Sequence, residues 1–176
     1  MGVRARDGRP RRHRRGAFED LPSTDIEVFV HVHFGMAGSF PLRLAEVFFT
    51  SDGLHLVEYG YITPLFGLGS KKHRREAEAM GAVYDYHDID EVLLRGDSVT
   101  WLDYGTVERV VLHDGGWFGR PKLTVYTDEH SYAYRLHDDQ GIAKLAADIE
   151  ACADRHGFAV EVVSGVGFSP RSNRIS

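Results

Sequence analysis

The sequence carries a single cysteine, Cys152, in 176 residues. One thiol excludes a disulfide framework and a thiolate metal site within the chain. It falls on an apolar helical stripe, with no base placed beside it, and so reads as a core thiol and not a nucleophile. No apolar run approaches the ~20 residues that cross a bilayer, and the Arg-rich start has no apolar signal region behind it. The expected location is cytoplasmic, with peripheral membrane attachment as the alternative. Catalytic signatures are missing as well. There is no G-x-S-x-G and no H-E-x-x-H, and Gly67-Leu68-Gly69-Ser70-Lys71 lacks the spacing and the Lys-Ser/Thr ending of a phosphate loop. No cofactor is expected from these patterns.

What is present divides unevenly. Residues 1–16 hold seven Arg against one Asp, a local +6, while the rest of the chain has 14 basic against 25 acidic residues, a net of −11. A basic arm is thus joined to an acidic body. Residues 1–24 show no periodicity and are expected to be mobile. Arg4, Arg6, Arg9, Arg11, Arg12, Arg14 and Arg15 would hold phosphates if the protein associates with nucleic acid. A solvated leader explains the same residues without a partner. The expected organisation is this arm, one α+β domain over 25–164 with a helical insertion at about 70–95, and a flexible tail over 165–176.

The stretch Gly105 to Gly157 organises the body. Thr106–Leu112, Pro121–Thr127 and Ser131–Leu136 alternate with period two and read as three consecutive antiparallel strands. Tyr132, Tyr134 and Leu136 share one face; Leu123 and Val125 share a face opposite Thr124 and Tyr126. Ile142, Leu145, Ala146, Ile149, Cys152 and Ala153 follow at helical spacing and supply the lid that the apolar face needs. Asp138 or Asp139 would cap this helix, and Gly157 would end it in the left-handed conformation. Upstream, Ile26–Phe34 reads as a strand in which Val28, Val30, Val32 and Phe34 share a face. Gly35–Pro41 reads as a loop. Glu46–Thr50 and Leu54–Tyr59 read as a hairpin turned at Asp52-Gly53. Ser70–Met80 reads as a helix ended by Gly81, with a second short helix over Asp88–Arg95 and a strand over Ser98–Asp103. Basic residues at the start of Ser70–Met80 oppose the helix dipole. A last strand covers Phe158–Val163.

The order of strands, a hairpin carrying F-F-T-S-D-G-L-H-L (Phe48–Leu56), the run Y-G-T-V-E-R-V-V-L (Tyr104–Leu112) and a closing amphipathic helix resembles the pleckstrin-homology-like superfamily. The likeness takes in its bacterial and archaeal branch and the related GRAM domains, and covers roughly Ala45 to His156. It implies an antiparallel half-open barrel or sheet capped by the C-terminal helix, and a non-catalytic module that binds a protein or a membrane-associated partner. Phosphoinositide-binding members place several basic residues at the first hairpin loop. Here H-D-G-G-W-F-G-R offers only Arg120, with Lys122 just beyond.

The expected partner surface combines two segments. Trp117 and Phe118 stand among Gly115, Gly116 and Gly119 on a hairpin tip, where two large aromatics form an anchor if exposed, with Arg120 and Lys122 beside them. The second segment is apolar over Ile62–Leu68, including Leu65 and Phe66, and continues into Lys71, Lys72, His73, Arg74 and Arg75. A hairpin folded over the sheet end, and a solvated helix face, are the plainer accounts of each. A three-imidazole metal site from His31, His33 and His55 is geometrically conceivable, since the first two share a strand face and the third lies on a nearby strand. Ten histidines in the chain make such coincidences common. His113-Asp114 and His87-Asp88 fall in expected turns, where local capping explains them.

Overall fold

Alternating apolar residues become strands, and the one strong helical stripe becomes a helix. A computed structural model describes residues 26–38, 42–62, 69–116, 119–137 and 141–165, with the backbone alone at 62 and 69–71. The architecture is α+β, a large and mostly antiparallel open sheet with two helices. In chain order come β1 (Val28–Ala37), β2 (Leu42–Thr50), β3 (Leu54–Ile62), α1 (Gly69–Arg95) and β4 (Ser98–Leu102). A 3-10 turn at Tyr104–Thr106 leads into β5 (Val107–His113), β6 (Lys122–Thr127), β7 (Ser131–Arg135), α2 (Ile142–His156) and β8 (Ala159–Val163). The spatial order is β4-β3-β2-β1-β7-β6-β5-β8, antiparallel throughout except that β8 runs parallel to β5. Among the described residues, the two halves of the sheet are paired through Met36↔Arg135 and Ala37↔Tyr134.

The sheet buries both faces of β1–β3, which the sequence does not announce. On one face Val30, Val32, Val47, Phe49, Leu54 and Leu56 join Val110, Leu112, Leu123, Val125 and Tyr134, and α2 adds Leu145, Ala146, Ile149, Cys152 and Ala153. Each such aliphatic side chain, fully buried, contributes roughly 1.5–3 kcal/mol. On the opposite face Leu44, Phe48, Val57 and Tyr59 pack against Met80, Ile89 and Val92 of α1. The segment that interrupts the strand order is therefore a second layer of core.

Several boundaries differ from expectation. Helix α2 ends as expected, with Gly157 at φ 84° and its N–H donating to Ala153 O. Its N-cap is Gly141, without a side-chain cap, and Asp138 and Asp139 lie outside the described residues. Gly81 does not end a helix. Strand β1 brings the His33 ring against α1, and a Cβ on Gly81 would stand 3.1 Å from His33 Cε1, so glycine is there for close approach. The break comes at Asp88 (φ 68°), where the second helix was expected to begin, and its Oδ1 accepts from the Ile89 N–H and restarts the helix. Strand β1 continues through Gly35 to Ala37, where a loop was expected, and carries two irregularities in its pairing with β2. These shift the faces: Val30 and Val32 enter the α2-side core, while Val28 and Phe34 pack on the α1 side. The hairpin at Asp52-Gly53 forms as the sequence indicates, with Thr50 N donating to Gly53 O.

Candidate functional site

A polar cluster lies within the α1-side layer. Val32 pairs with Val47 and Gly35 with Ala45, so His33 and Phe34 together stand opposite Glu46. This is a β-bulge, and Phe34 absorbs it at φ 58°, a backbone conformation uncommon for a bulky residue. The two-residue strand repeat puts His33 on the same face as His31, and the bulge adds Phe34 to that face. His31 Nε2 lies 2.8 Å and His33 Nδ1 2.9 Å from the same oxygen, Glu46 Oε2. Tyr59, from β3, donates its hydroxyl to the other oxygen, Oε1, at 2.5 Å. The Glu46 side chain is 1% exposed, that of His31 18% and that of His33 35%, so the cluster opens to solvent along His33.

Ring packing holds the cluster in place. His31 stacks on Phe48 with centroids 4.3 Å apart and meets Tyr84 of α1 at 4.4 Å. Burial pushes the Glu46 carboxyl up, but hydrogen bonds from His31, His33 and Tyr59 and the charge at His33 outweigh it and hold Glu46 below its ordinary range. Burial lowers His33, yet its hydrogen bond to Glu46 and the nearby negative charges of Glu46 and Asp85 raise it on balance. The Tyr59 phenol is raised by burial and by Glu46, so its proton stays on the hydroxyl. The donor atoms of His31, His33 and Glu46 all lie within 4.8 Å of one another, close enough to share one ion.

His55 is not part of this cluster. It lies on the same sheet face, but Phe48 stands between its strand position and that of His31 (His31↔Phe48↔His55), and its Nε2 is 3.0 Å from Asp52 Oδ1. The three-imidazole arrangement is thus corrected to two imidazoles and a carboxylate. Glu46 was hidden in the sequence because E-V-F-F-T reads as an apolar strand, and a lone carboxylate there looks like an outward-facing residue. Asp52 itself is raised by burial, but hydrogen bonds from Thr50 and His55 dominate and leave it below the usual carboxylate range. A depressed folded-state pKa adds stability above the unfolded value of about 3.8, lost as pH falls through the folded value. Asp52→Asn is therefore expected to separate from the parent fully above the unfolded value of about 3.8, and the gap to close as pH falls through the lower folded value. Thermal melts across that range check it, and a gap that stays constant with pH would contradict it.

The partner surface expected from sequence is only partly described. Leu65, Phe66, Trp117, Phe118 and the arginines of the N-terminal arm lie outside the described residues, as does the side chain of Lys71. Lys72, Arg74 and Arg75 are exposed on α1, with Lys72 3.6 Å from Glu76 and Arg74 3.8 Å from Glu78. His73 is buried and does not belong to that basic face. Arg120 reaches Met36 Sδ at 3.7 Å, and Lys122 is lowered by burial and by Arg135. Asp114 accepts from the N–H of Gly116 in its own turn and from that of Gly165, 51 residues away in the segment after β8.

A surface that sequence reasoning missed lies on β4, which ends the sheet order. Trp101 is 51% and Val99 42% exposed there. A Cβ on Gly53 would stand 2.7 Å from Trp101 Nε1, so the indole rests on the β2–β3 turn. The signal was present in S-V-T-W-L-D, but nothing in one strand's sequence says whether it is central or terminal.

Fold and cluster together define an α+β protein with a two-sided sheet and a His-His-Glu-Tyr group on its α1 face. No protein-family model matches the chain, and no curated protein matches it. A solved structure similar to it is the hSac2 domain from human phosphoinositide phosphatase Sac2, with TM-score 0.49 and 10% identity, over 89% of this chain and 87% of that one.

Proposed function

We propose that this chain is a protein-interaction module on a pleckstrin-homology-like half-open barrel, engaging its partner through aromatic side chains at exposed edges. The barrel reading is supported by the succession of β1–β4, β5–β7 and an amphipathic α2 whose stripe packs on the sheet. The interaction reading is carried by β4. Trp101 and Val99 are half-exposed on a strand that has one sheet neighbour among the described residues. Such an edge presents N–H and C=O groups that an extended segment of another protein can pair with, and tryptophan is the side chain most enriched where binding energy concentrates. No described helix is long and apolar enough to cross a membrane.

The test is crosslinked co-purification from native extract, nuclease-treated, with the full-length protein beside Trp101→Ala and Trp117→Ala/Phe118→Ala. A partner protein held by the parent and lost from Trp101→Ala supports the edge as the docking strand. Loss only from the double variant moves the surface to the hairpin tip. Recovery of RNA or DNA by all three forms without nuclease, and of no protein with it, sinks the reading and puts the Arg4 to Arg15 arm first.

A further inference from the structure

We infer that His31, His33 and Glu46 form a binding site for a divalent first-row transition metal ion of the zinc class. The geometry carries it. A zinc-class ion takes imidazole nitrogen and carboxylate oxygen at about 2.0–2.1 Å, so donors at right angles to tetrahedral angles stand roughly 2.9–3.4 Å apart. The two N···O separations here are 2.8 and 2.9 Å, and an ion enters by widening them a few tenths of an ångström. The two imidazoles reach one oxygen because His31 and His33 stand two residues apart on the face of β1 that Glu46 shares, and all three donor atoms lie within 4.8 Å of one another.

Donor chemistry and supports agree with that ion. Two imidazoles and one carboxylate suit zinc, cobalt, iron or nickel, whereas calcium and magnesium take oxygen and cuprous copper takes sulfur. Tyr59 binds Oε1 and leaves Oε2 free to ligate, an outer hydrogen bond of the kind that orients metal-bound carboxylates. Phe48 stacks on His31, and α1 closes on His33 at Gly81, so both rings are held before an ion arrives. The exposed side of His33 gives access and leaves coordination positions for water.

Proton balance is simple. A carboxylate oxygen only accepts, so in the metal-free protein both ring nitrogens donate N–H to Oε2. On binding, a neutral imidazole moves its proton to the other ring nitrogen, and a protonated one releases it to solvent.

The experiment uses full-length protein without a polyhistidine tag, dialysed against chelator. Co²⁺ is titrated while visible absorption is followed, Zn²⁺ is then added in competition, and metal content is measured on protein as purified. One Co²⁺ per chain, displaced by Zn²⁺, is expected. His33→Ala and Glu46→Gln should weaken binding by roughly 100-fold or more, and Tyr59→Phe by about 10-fold. His55→Ala should leave it unchanged. Circular dichroism reports whether each variant folds, and Glu46→Gln, which keeps the shape of the side chain, is read if His33→Ala does not. Absence of Co²⁺ binding at submillimolar concentration overturns the site. So does tight binding that Glu46→Gln leaves intact, which would place the ion elsewhere. The readout involves no partner protein, so it stands or falls apart from the interaction reading.

Discussion

Phe48→Ala is expected to destabilise the protein by about 3–5 kcal/mol, with a fall in melting temperature of roughly 10 °C. Phe48 is fully buried at the centre of the α1-side core, among Leu44, Val57, Met80, Ile89 and Val92. Its removal leaves a cavity that a strand on one side and a helix on the other cannot close, because β2 is also packed on its opposite face by Val47 and Phe49. It also removes the ring on which His31 stacks. Leu94→Ala is the control: Leu94 is 67% exposed, and its loss should stay within about 0.5 kcal/mol. Denaturant unfolding of the three proteins at one pH decides it. A loss below about 1 kcal/mol for Phe48→Ala would mean that α1 does not pack on this face.

The second large effect belongs to Glu46. In metal-free protein, Glu46→Ala should cost about 2–4 kcal/mol. The Tyr59 hydroxyl is left buried without its acceptor, and two imidazole N–H groups lose theirs. The penalty stays below that of a fully buried ion pair because water can reach His33, which is about one-third exposed. Glu46→Gln retains an acceptor oxygen and should lose about half as much. Equal stability of Glu46→Ala and the parent would show that the carboxylate is not held by these three donors.

These two residues also mark how far the sequence could be read. Leu123, Val125, Tyr132 and Tyr134 were placed on one face by their alternation, and the stripe from Ile142 to Ala153 was placed on a helix ended by Gly157. Both follow from local geometry: a strand repeats every two residues, a helix every 3.6, and glycine alone enters the left-handed region without strain. Asp52-Gly53 marked its hairpin for the same reason. The segment from Gly69 to Arg95 was harder. Its weakly patterned residues suggest a helix ended by Gly81 and a second one over Asp88–Arg95; the break does fall at Asp88, but the first helix runs on through Gly81, where packing against His33 explains the glycine.

By itself the sequence determined the elements whose signals are local: the strands of β5 to β7, the amphipathic α2, the Asp52-Gly53 turn, the buried character of Cys152 and the division into a basic arm and an acidic body. Only tertiary structure decided that β1 to β3 are covered on both faces, that β4 is a terminal strand exposing Trp101, and that Glu46 and not His55 joins His31 and His33. Each of those depends on register between strands distant in sequence, and a one-residue bulge changes which side chains share a face. Alternation within one strand carries no information about that register.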